Sequence, residues 1–258
     1  MIIYEPRGRA KEYFELAANL YRGCVHGCRY CYGPATLRMK PEAFHAQAFV
    51  RNNALVEFAK DAQKLEGDKR TILLSFTTDP YQPINEERKL TRGAIAAAQA
   101  YGLKVAILTK AGLRATRDFD LLCPGFLGKT WADEFGVTLT VLDEVKRKEW
   151  EPNASPAAER VESLAIAKKA GIKTFVSLEP ILDIGEALEV IQATADVADR
   201  FLVGKLNYHP AAKEINWTTA AKIVFAALEA TGKPYYIKRD LASFLGKPEG
   251  ILKPIDKC

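Results

Sequence analysis

Short apolar runs rich in β-branched residues recur along the chain, and each is followed by a polar turn and an amphipathic stretch with helical spacing. From residue 71 onward the runs begin about every 30 residues, which is the length of a strand–helix unit. Strands are predicted at 14–20, 71–76, 104–109, 137–142, 173–178 and 200–206, with a possible extra strand at 235–238. Strands that alternate with helices pair in parallel through right-handed crossovers. The pattern therefore predicts an α/β fold, a partial (β/α)6 TIM-type barrel with outer helices, and the alternative is an open doubly wound sheet.

Capping residues mark the ends of the predicted helices. Thr91 is expected to cap a helix over 92–101, and Pro156 is expected at the first position of a later helix. Asn216 or a neighbour is expected to begin a helix that ends near Gly232, because glycine readily adopts the left-handed conformation at a helix end.

Composition and length are those of one soluble globular domain. The 258 residues are 48% hydrophobic and 27% charged. A single domain over residues 1–258 is predicted, with an N-terminal extension at 1–13 and a closing segment at 208–258. No apolar run reaches the roughly 18 residues of a membrane helix, and the N-terminus lacks the apolar core of a signal peptide. Five cysteines, three of them crowded together, argue against a disulfide framework and favour the reducing cytoplasm. The net charge of +5 is compatible with a nucleic-acid or phosphorylated substrate.

Polar and charged residues follow the predicted strands at the edge where active sites form in α/β barrels. They comprise the Cys24–Cys31 loop, Thr77, Thr78, Asp79, Lys110, Asp143, Glu179, Lys205, Asn207 and Lys238. Loops between strands and helices are polar in general, so no single residue of this set identifies a site. Together with a cysteine-rich loop at the same edge, the set favours an active site at the barrel mouth.

Three cysteines form the pattern Cys-x3-Cys-x2-Cys at Cys24, Cys28 and Cys31. Three thiolates on one loop can hold three irons of a [4Fe–4S] cluster and leave the fourth iron open, whereas ferredoxin-type clusters use four cysteines. The alternative is a structural zinc site, which needs a fourth ligand in a closed tetrahedron. Cys123 or Cys258 could supply that ligand, since His26 lies inside the loop and is not expected to reach the same ion.

The loop resembles that of the radical S-adenosylmethionine (SAM) superfamily, including the aromatic Tyr30 just before the third cysteine. Across residues 18–182 the segments NLYRGCVHGCRYCY, SFTTDPYQP, LTKAG, EPNASPAAERVESLAIAKKAGI and VSLEP resemble its spore photoproduct lyase-like branch. The resemblance implies a partial barrel, a [4Fe–4S] cluster and SAM as cofactors, and an external electron donor of the flavodoxin or ferredoxin type. It also implies that an electron from the cluster cleaves SAM, and that the resulting 5′-deoxyadenosyl radical abstracts hydrogen from a substrate.

The same resemblance implies roles for residues of this chain. The implied iron ligands are Cys24, Cys28 and Cys31. The residues implied to face SAM are Tyr30 at the adenine, Thr78 at the methionyl part, Lys110 at the carboxylate and Thr140, on the fourth strand, at the ribose. Thr77 is a further candidate for cofactor binding, and Asp79 is a candidate acceptor for the amine. Glu179 is a candidate for a ribose or substrate hydroxyl, or an anchor of its own loop. Ordinary structural alternatives exist, with Lys110 as a loop cap and Thr140 as a β-branched strand residue.

One position departs from the branch. The lyase returns hydrogen to its product from a cysteine that aligns with Phe76, and a phenyl side chain does not donate a hydrogen atom readily. Tyr32 matches a tyrosine of the lyase's radical relay. Cys123 is a candidate donor if it faces the barrel, and otherwise a structural cysteine; Cys258 at the chain end is a weaker candidate. Thymine-dimer reversal by the same route is therefore not expected.

The leading hypothesis is a radical enzyme that acts on a nucleobase or modified nucleotide, free or in DNA. Basic and polar groups at the rim form its candidate substrate side, namely Lys205, Asn207, His209, Lys238 and Arg239. Two alternatives stay open: a radical isomerase or modifying enzyme for a small molecule or peptide, and a zinc-stabilised nucleic-acid-binding module. The sequence does not indicate an oligomeric state.

Overall fold

The computed structural model describes residues 1–253, without the side chain of Leu127, so the candidate Cys258 lies outside the described residues. The strands are β1 (Ile3–Tyr4), β2 (Leu16–Ala18), β3 (Tyr21–Arg22), β4 (Phe49–Val50), β5 (Thr71–Leu74), β6 (Lys104–Thr109), β7 (Glu134–Thr138), β8 (Lys173–Ile181), β9 (Arg200–Lys205), β10 (Tyr235–Ile237) and β11 (Ile251–Lys253). The α-helices are α1 (Gly33–Thr36), α2 (Pro41–Ala46), α3 (Ala54–Lys64), α4 (Ile84–Arg88), α5 (Leu90–Ala100), α6 (Phe119–Leu122), α7 (Glu144–Trp150), α8 (Ala157–Lys169), α9 (Ile184–Thr194), α10 (Trp217–Thr231) and α11 (Arg239–Ala242).

One large sheet has the order β1-β2-β5-β6-β7-β8-β9-β10-β11, and β3 pairs with β4 in a separate two-stranded sheet. From β2 to β10 neighbouring strands are parallel, while β1 and β11 add antiparallel edges. The order follows the chain without the reversal point of a doubly wound sheet. The predicted partial barrel is therefore confirmed, and β10 adds a seventh parallel strand where an extra strand is predicted.

The fourth predicted strand is displaced along the chain. β7 covers Glu134–Thr138 rather than 137–142, because these residues pair in register with β6 and β8. Gly136 interrupts the apolar residues at the centre of β7, so the apolar pattern alone does not show where this strand begins. A Cβ atom at Gly136 would lie 2.3 Å from the ring of Phe175, so glycine makes room for that ring. The prediction that Thr140 lies on this strand is wrong, and Thr140 lies in the loop that follows it.

The predicted caps of α10 are present in the structure, whereas the predicted cap of α5 is not. The Asn216 side chain accepts a hydrogen bond from the Thr219 N–H, and α10 ends at a Gly232 with φ of +69°, both as predicted. Thr91 lies inside α5 instead of capping it, and its hydroxyl donates to the Pro80 carbonyl at 2.5 Å. No helix within residues 1–253 combines the length and the apolar sequence that a membrane span requires.

The barrel interior is apolar at one end and polar at the other. Alternate strand residues form a buried apolar layer, made of Ala17, Leu73, Ala106, Phe175 and Leu202 together with Phe14. Two residues further along their strands, toward the carboxyl ends, stand the polar residues Asn19 and Ser177. The interior is thus apolar toward the amino-terminal end and polar toward the carboxyl end, where sites form in such folds.

Residues 7–13, here named the N-terminal strap, connect the two edges of the parallel sheet. On one side the strap follows β1, which pairs with β2. On the other side Glu12 Oε2 accepts hydrogen bonds from the Tyr236 hydroxyl at 2.9 Å and the Arg239 N–H at 3.0 Å. Side-chain contacts therefore join the first and last parallel strands across the gap of the barrel. The predicted domain limits stay a prediction.

Candidate active site

The cysteine loop lies after β2 and β3, at the carboxyl end of the barrel, and hydrogen bonds hold its backbone from two sides. The Cys24 N–H donates to the Phe44 carbonyl at 3.0 Å, and the Arg29 N–H donates to the Trp150 carbonyl at 2.9 Å. Gly23 has a φ of +81°, and a Cβ atom there would lie 2.3 Å from a backbone oxygen. Only glycine fits that position. The loop is thus fixed by the segment that follows it and by the loop after β7.

The thiols of Cys24 and Cys28 are buried, while Cys31 is partly exposed and its Sγ accepts the Gly33 N–H at 3.4 Å. Burial raises the pKa of Cys28 to about 12 and also raises the pKa of Cys24 and Cys31. Such thiols become thiolates where a metal supplies positive charge. Within residues 1–253, no three His, Cys, Asp or Glu side chains converge on a single metal ion. The donor set fits a cluster with one iron for each thiolate better than a zinc tetrahedron.

Asp79 is predicted to face the SAM amine, but the structure buries it between the turn after β5 and the end of β6. Its carboxylate accepts the Tyr81 N–H at 2.7 Å, the Thr109 hydroxyl at 2.8 Å and the Lys110 N–H at 2.7 Å. His26 Nε2 lies 3.1 Å from Oδ2. Burial opposes ionisation, but His26 and the backbone donors outweigh it and lower the pKa of Asp79. Because these groups occupy its oxygens, Asp79 positions the Lys110 loop against the cysteine loop rather than offering a free acceptor.

Lys110 follows β6, and its Nζ lies 5.5 Å from the centroid of the Tyr30 ring. The described chain contains no carboxylate within salt-bridge distance of this Nζ. Burial opposes its charge, while Cys28 and Glu151 outweigh that effect and raise the pKa of Lys110. A cation without a carboxylate partner therefore stands beside the cysteine loop, which fits the carboxylate of a bound amino acid.

A buried ion pair that the sequence analysis does not single out lies beneath this site. Glu151 and Arg160 are both fully buried, with Arg160 Nη1 2.5 Å from Glu151 Oε2. The hydroxyls of Tyr30 and Thr140 both donate to Glu151 Oε1, the second at 3.3 Å. Burial opposes ionisation of Glu151, but Arg160 and Lys110 outweigh it and lower the pKa of Glu151. Glu151 thus connects the cysteine loop to the loop after β7.

The turn after β5 brings several predicted residues to the cysteine loop. The Tyr32 hydroxyl donates to the Phe76 carbonyl at 2.7 Å, and the Tyr32 side chain is about half exposed. The Thr77 N–H donates to Asn19 Oδ1 at 2.9 Å, and Thr78 is buried next to it. The structure therefore brings Tyr32, Thr77 and Thr78 together at the barrel mouth.

Across the mouth, β8 and β10 contribute a second ion pair. Glu179 is predicted at a strand end, but β8 continues two residues beyond it, and its side chain packs against Gly204. Lys238 Nζ donates to Glu179 Oε1 at 2.9 Å and lies 4.0 Å from the centroid of the Tyr13 ring. Burial and the Glu179 carboxylate raise the pKa of Tyr13. Tyr13, a residue of the strap that carries no sequence signal for a site, therefore belongs to this part of the mouth.

The other substrate candidates divide between the mouth and the outer layer. Lys205 is misplaced by the prediction, because its Nζ lies 4.9 Å from the ring centroid of Trp217 in the outer helix α10. Asn207 donates to a carboxylate of α11 at 2.8 Å, and His209 packs against the indole that ends α7 at 4.9 Å. Arg239 follows β10 and is exposed.

Cys123 does not meet the condition that it faces the barrel. It follows α6, and its Sγ donates to the Asp120 carbonyl at 3.2 Å. The preceding Leu122 carbonyl accepts the Asp133 N–H at 3.2 Å, one residue before β7 begins. Cys123 therefore lies at the amino-terminal edge of the sheet, away from the cysteine loop, as a structural cysteine.

Two solved structures share the fold. A spore photoproduct lyase variant with bound AdoMet and dinucleoside spore photoproduct has a TM-score of 0.61 and 18% identity, over 90% of this chain and 67% of that one. Streptococcus suis SuiB bound to S-adenosylmethionine has a TM-score of 0.63 and 12% identity, over 88% of this chain and 51% of that one. The chain thus shares its fold with both structures.

Comparisons of sequence give the family. An uncharacterised protein of Mycobacterium tuberculosis is 29% identical over 184 residues, which are 68% of this chain and 53% of the relative. This chain therefore spans about half the length of that relative. The family model of the Radical SAM superfamily matches residues 18–198, more than half of the chain. With the cysteine loop at the mouth of a partial barrel, this match confirms the prediction that the chain belongs to the radical SAM superfamily.

Proposed function

We propose that this chain is a radical SAM enzyme that abstracts hydrogen from a nucleobase or modified nucleotide, with an external electron donor of the flavodoxin or ferredoxin type. The observation that carries the proposal is the convergence on one rim of three clustered thiols and the Lys110 ammonium, which has no carboxylate partner among residues 1–253. When bound there, a [4Fe–4S] cluster and SAM supply a 5′-deoxyadenosyl radical, because such cofactors carry the difficult chemistry. A cytoplasmic location stays a prediction.

The residues of this chain bind and orient the cofactors. Cys24, Cys28 and Cys31 would hold the cluster, and Lys110 would bind the SAM carboxylate. Tyr30, held by Glu151, is placed to border the adenine. The apolar layer below the mouth keeps water from the reacting groups, which protects a radical from side reactions.

The substrate side is formed by the Glu179–Lys238 pair with Tyr13 and Tyr32. A buried ammonium beside a partly buried carboxylate and phenol suits a planar ligand that carries hydrogen-bond donors and acceptors, and the exposed Arg239 suits a phosphate. The lyase structure that shares this fold holds a dinucleoside, which supports the same substrate class. Since Phe76 replaces the lyase's cysteine and Cys123 lies at the far edge, the proposal does not include hydrogen return from a protein thiol.

Anaerobic reconstitution tests this proposal. We expect about four irons and four sulfides per chain, and cleavage of SAM to 5′-deoxyadenosine after reduction. With deuterated nucleosides, dinucleotides and DNA, deuterium is expected to move from one of them into 5′-deoxyadenosine. Deuterium transfer from a peptide or unrelated small molecule alone would overturn the substrate class. A colourless protein with one tightly bound zinc and no SAM cleavage would establish the zinc-module alternative instead.

Replacing Lys110 by alanine is expected to weaken SAM binding roughly 10- to 100-fold, since a hydrogen bond to a charged group contributes about 1.5–3 kcal/mol. Iron and sulfide content should stay at the level of the unaltered protein, because Lys110 is not an iron ligand. Titration calorimetry of the reconstituted protein with SAM measures the effect. Lys222→Ala, on the exposed face of α10, is the matched control and should bind SAM normally. Equal affinities of the two variants would remove Lys110 from the SAM site.

A further inference from the structure

A groove with a basic and aromatic lining lies beside the cysteine loop, outside the large sheet. Its volume is about 440 Å³, and it is lined by Arg22, Phe49, Val50, Arg51 and Asn52. Arg22 and Phe49 are paired residues of β3 and β4. The Phe49 side chain is 50% exposed in this groove, and the Arg51 guanidinium donates to the Asn19 carbonyl at 3.2 Å. We name this feature the basic groove.

The basic groove is connected directly to the first cysteine of the loop. Arg22 precedes Cys24 by two residues, so their Cα atoms are within about 7 Å of each other. The Cys24 N–H donates to the Phe44 carbonyl, and His45 Nδ1 lies 2.8 Å from the Cys24 carbonyl oxygen. Phe44 and His45 lead into β4, which forms the other side of the groove. A protein bound in the groove would therefore rest on the segment that covers Cys24.

Basic side chains far outnumber acidic ones in and around this segment. Between residues 22 and 53 the only acidic side chain is Glu42, and the basic ones are Arg22, Arg29, Arg38, Lys40 and Arg51. In the chain as a whole the basic excess is small, 37 against 32. The excess of positive charge is thus concentrated around the cysteine loop, where it attracts an acidic partner and speeds its association.

We propose that the basic groove is the docking site of an acidic one-electron donor protein of the flavodoxin or ferredoxin class. This inference rests on the proposed function, because the donor passes one electron to the cluster held by Cys24, Cys28 and Cys31. The donor is oxidised by one electron and the cluster is reduced by one, and no bond forms or breaks. The groove lies on β3 and β4, whereas the Glu179–Lys238 pair of the substrate side lies at β8 and β10. Because the groove is separate from the substrate side, its position favours an electron donor over a nucleic-acid substrate.

The double variant Arg22→Glu with Lys40→Glu tests the docking site with the whole protein. Both side chains are exposed, and the matched control reverses two exposed lysines far from the loop, Lys69→Glu with Lys222→Glu. Calorimetric binding of a purified oxidised flavodoxin at low salt should weaken roughly 10-fold or more in the first variant and little in the second. Phe49→Ser, which keeps the net charge, should also weaken binding, because aromatic residues are enriched in interface cores. Oligonucleotide binding is measured in parallel.

Reduction kinetics distinguish a failure of the docking site from a failure of the proposed function. Dithionite should drive SAM cleavage equally in all variants, whereas reduction by flavodoxin should slow only in the groove variants. If dithionite supports no cleavage in the unaltered protein, the proposed function fails. If dithionite works but flavodoxin binds and reduces all variants equally, the docking site is overturned and the function stands. Loss of oligonucleotide binding with unchanged flavodoxin binding would overturn it as well, and would assign the groove to nucleic acid.

Discussion

Replacing Cys28 by alanine is expected to abolish cluster assembly and, with it, all reductive cleavage of SAM. The loop offers three thiols for three irons, and Cys28 is a buried one whose surroundings include Lys110, Glu151 and Arg160. Within residues 1–253 the chain offers no substitute thiol, since Cys123 lies at the opposite edge of the sheet. Iron and sulfide analysis after anaerobic reconstitution, together with the visible absorbance of the product, measures the effect.

Cys123→Ala is the matched control for this experiment. It removes a thiol of the same type from the same chain but leaves the loop intact, so cluster content and SAM cleavage should be unchanged. A Cys28→Ala protein with a normal [4Fe–4S] spectrum would contradict the ligand assignment. A loss of the cluster in Cys123→Ala would show that Cys123 takes part in metal binding after all.

Replacing Glu151 by alanine is expected to lower the free energy of unfolding by about 3–5 kcal/mol, because it leaves the fully buried Arg160 guanidinium without a counter-charge. The hydroxyls of Tyr30 and Thr140 lose their shared acceptor at the same time. The cysteine loop should therefore become less ordered as well as the fold less stable. Urea unfolding of the metal-free protein measures the free energy, and hydrogen exchange of residues 24–31 reports on the loop.

Glu149→Ala is the control, since Glu149 lies two residues from Glu151. Its ion pair with Arg29 is exposed, with 55% of the Glu149 side chain and 58% of the Arg29 side chain accessible to solvent. Exposed pairs contribute little, so the expected loss of stability is below about 1 kcal/mol. Equal losses in the two variants would mean that the buried pair does not stabilise the loop in the way its geometry indicates.

The fold could be predicted largely because its parallel strands are nearly all apolar. β6 matches its predicted limits of 104–109, since residues 105–108 are an uninterrupted apolar run. β7 does not match its predicted limits. Gly136 is required there because it leaves room for the neighbouring Phe175 ring, but in a single sequence a glycine indicates a turn. Packing between strands decides such a position, and a single sequence does not contain that information.

The site could be predicted where the chemistry is local and not where it depends on distant partners. The three cysteines are visible because they fall within eight residues of one another. The network around Glu151 and Arg160 is not, because its two charges flank a loop and meet only when that loop folds back. Lys205 shows the opposite error, since the alternation of side chains along β9 places it against Trp217 in the outer helix layer.

The N-terminal strap has a consequence for how this chain is made. The contacts of Glu12 with Tyr236 and Arg239 span 224 and 227 residues of sequence. Synthesis proceeds from the N-terminus, so the strap leaves the ribosome before β10 and gains these partners only when β10 has emerged. Until then the edge of β9 and the apolar interior layer stay uncovered on a growing chain, a state that exposes unpaired strand edges to aggregation. The two ends of the chain, rather than its middle, therefore complete the barrel.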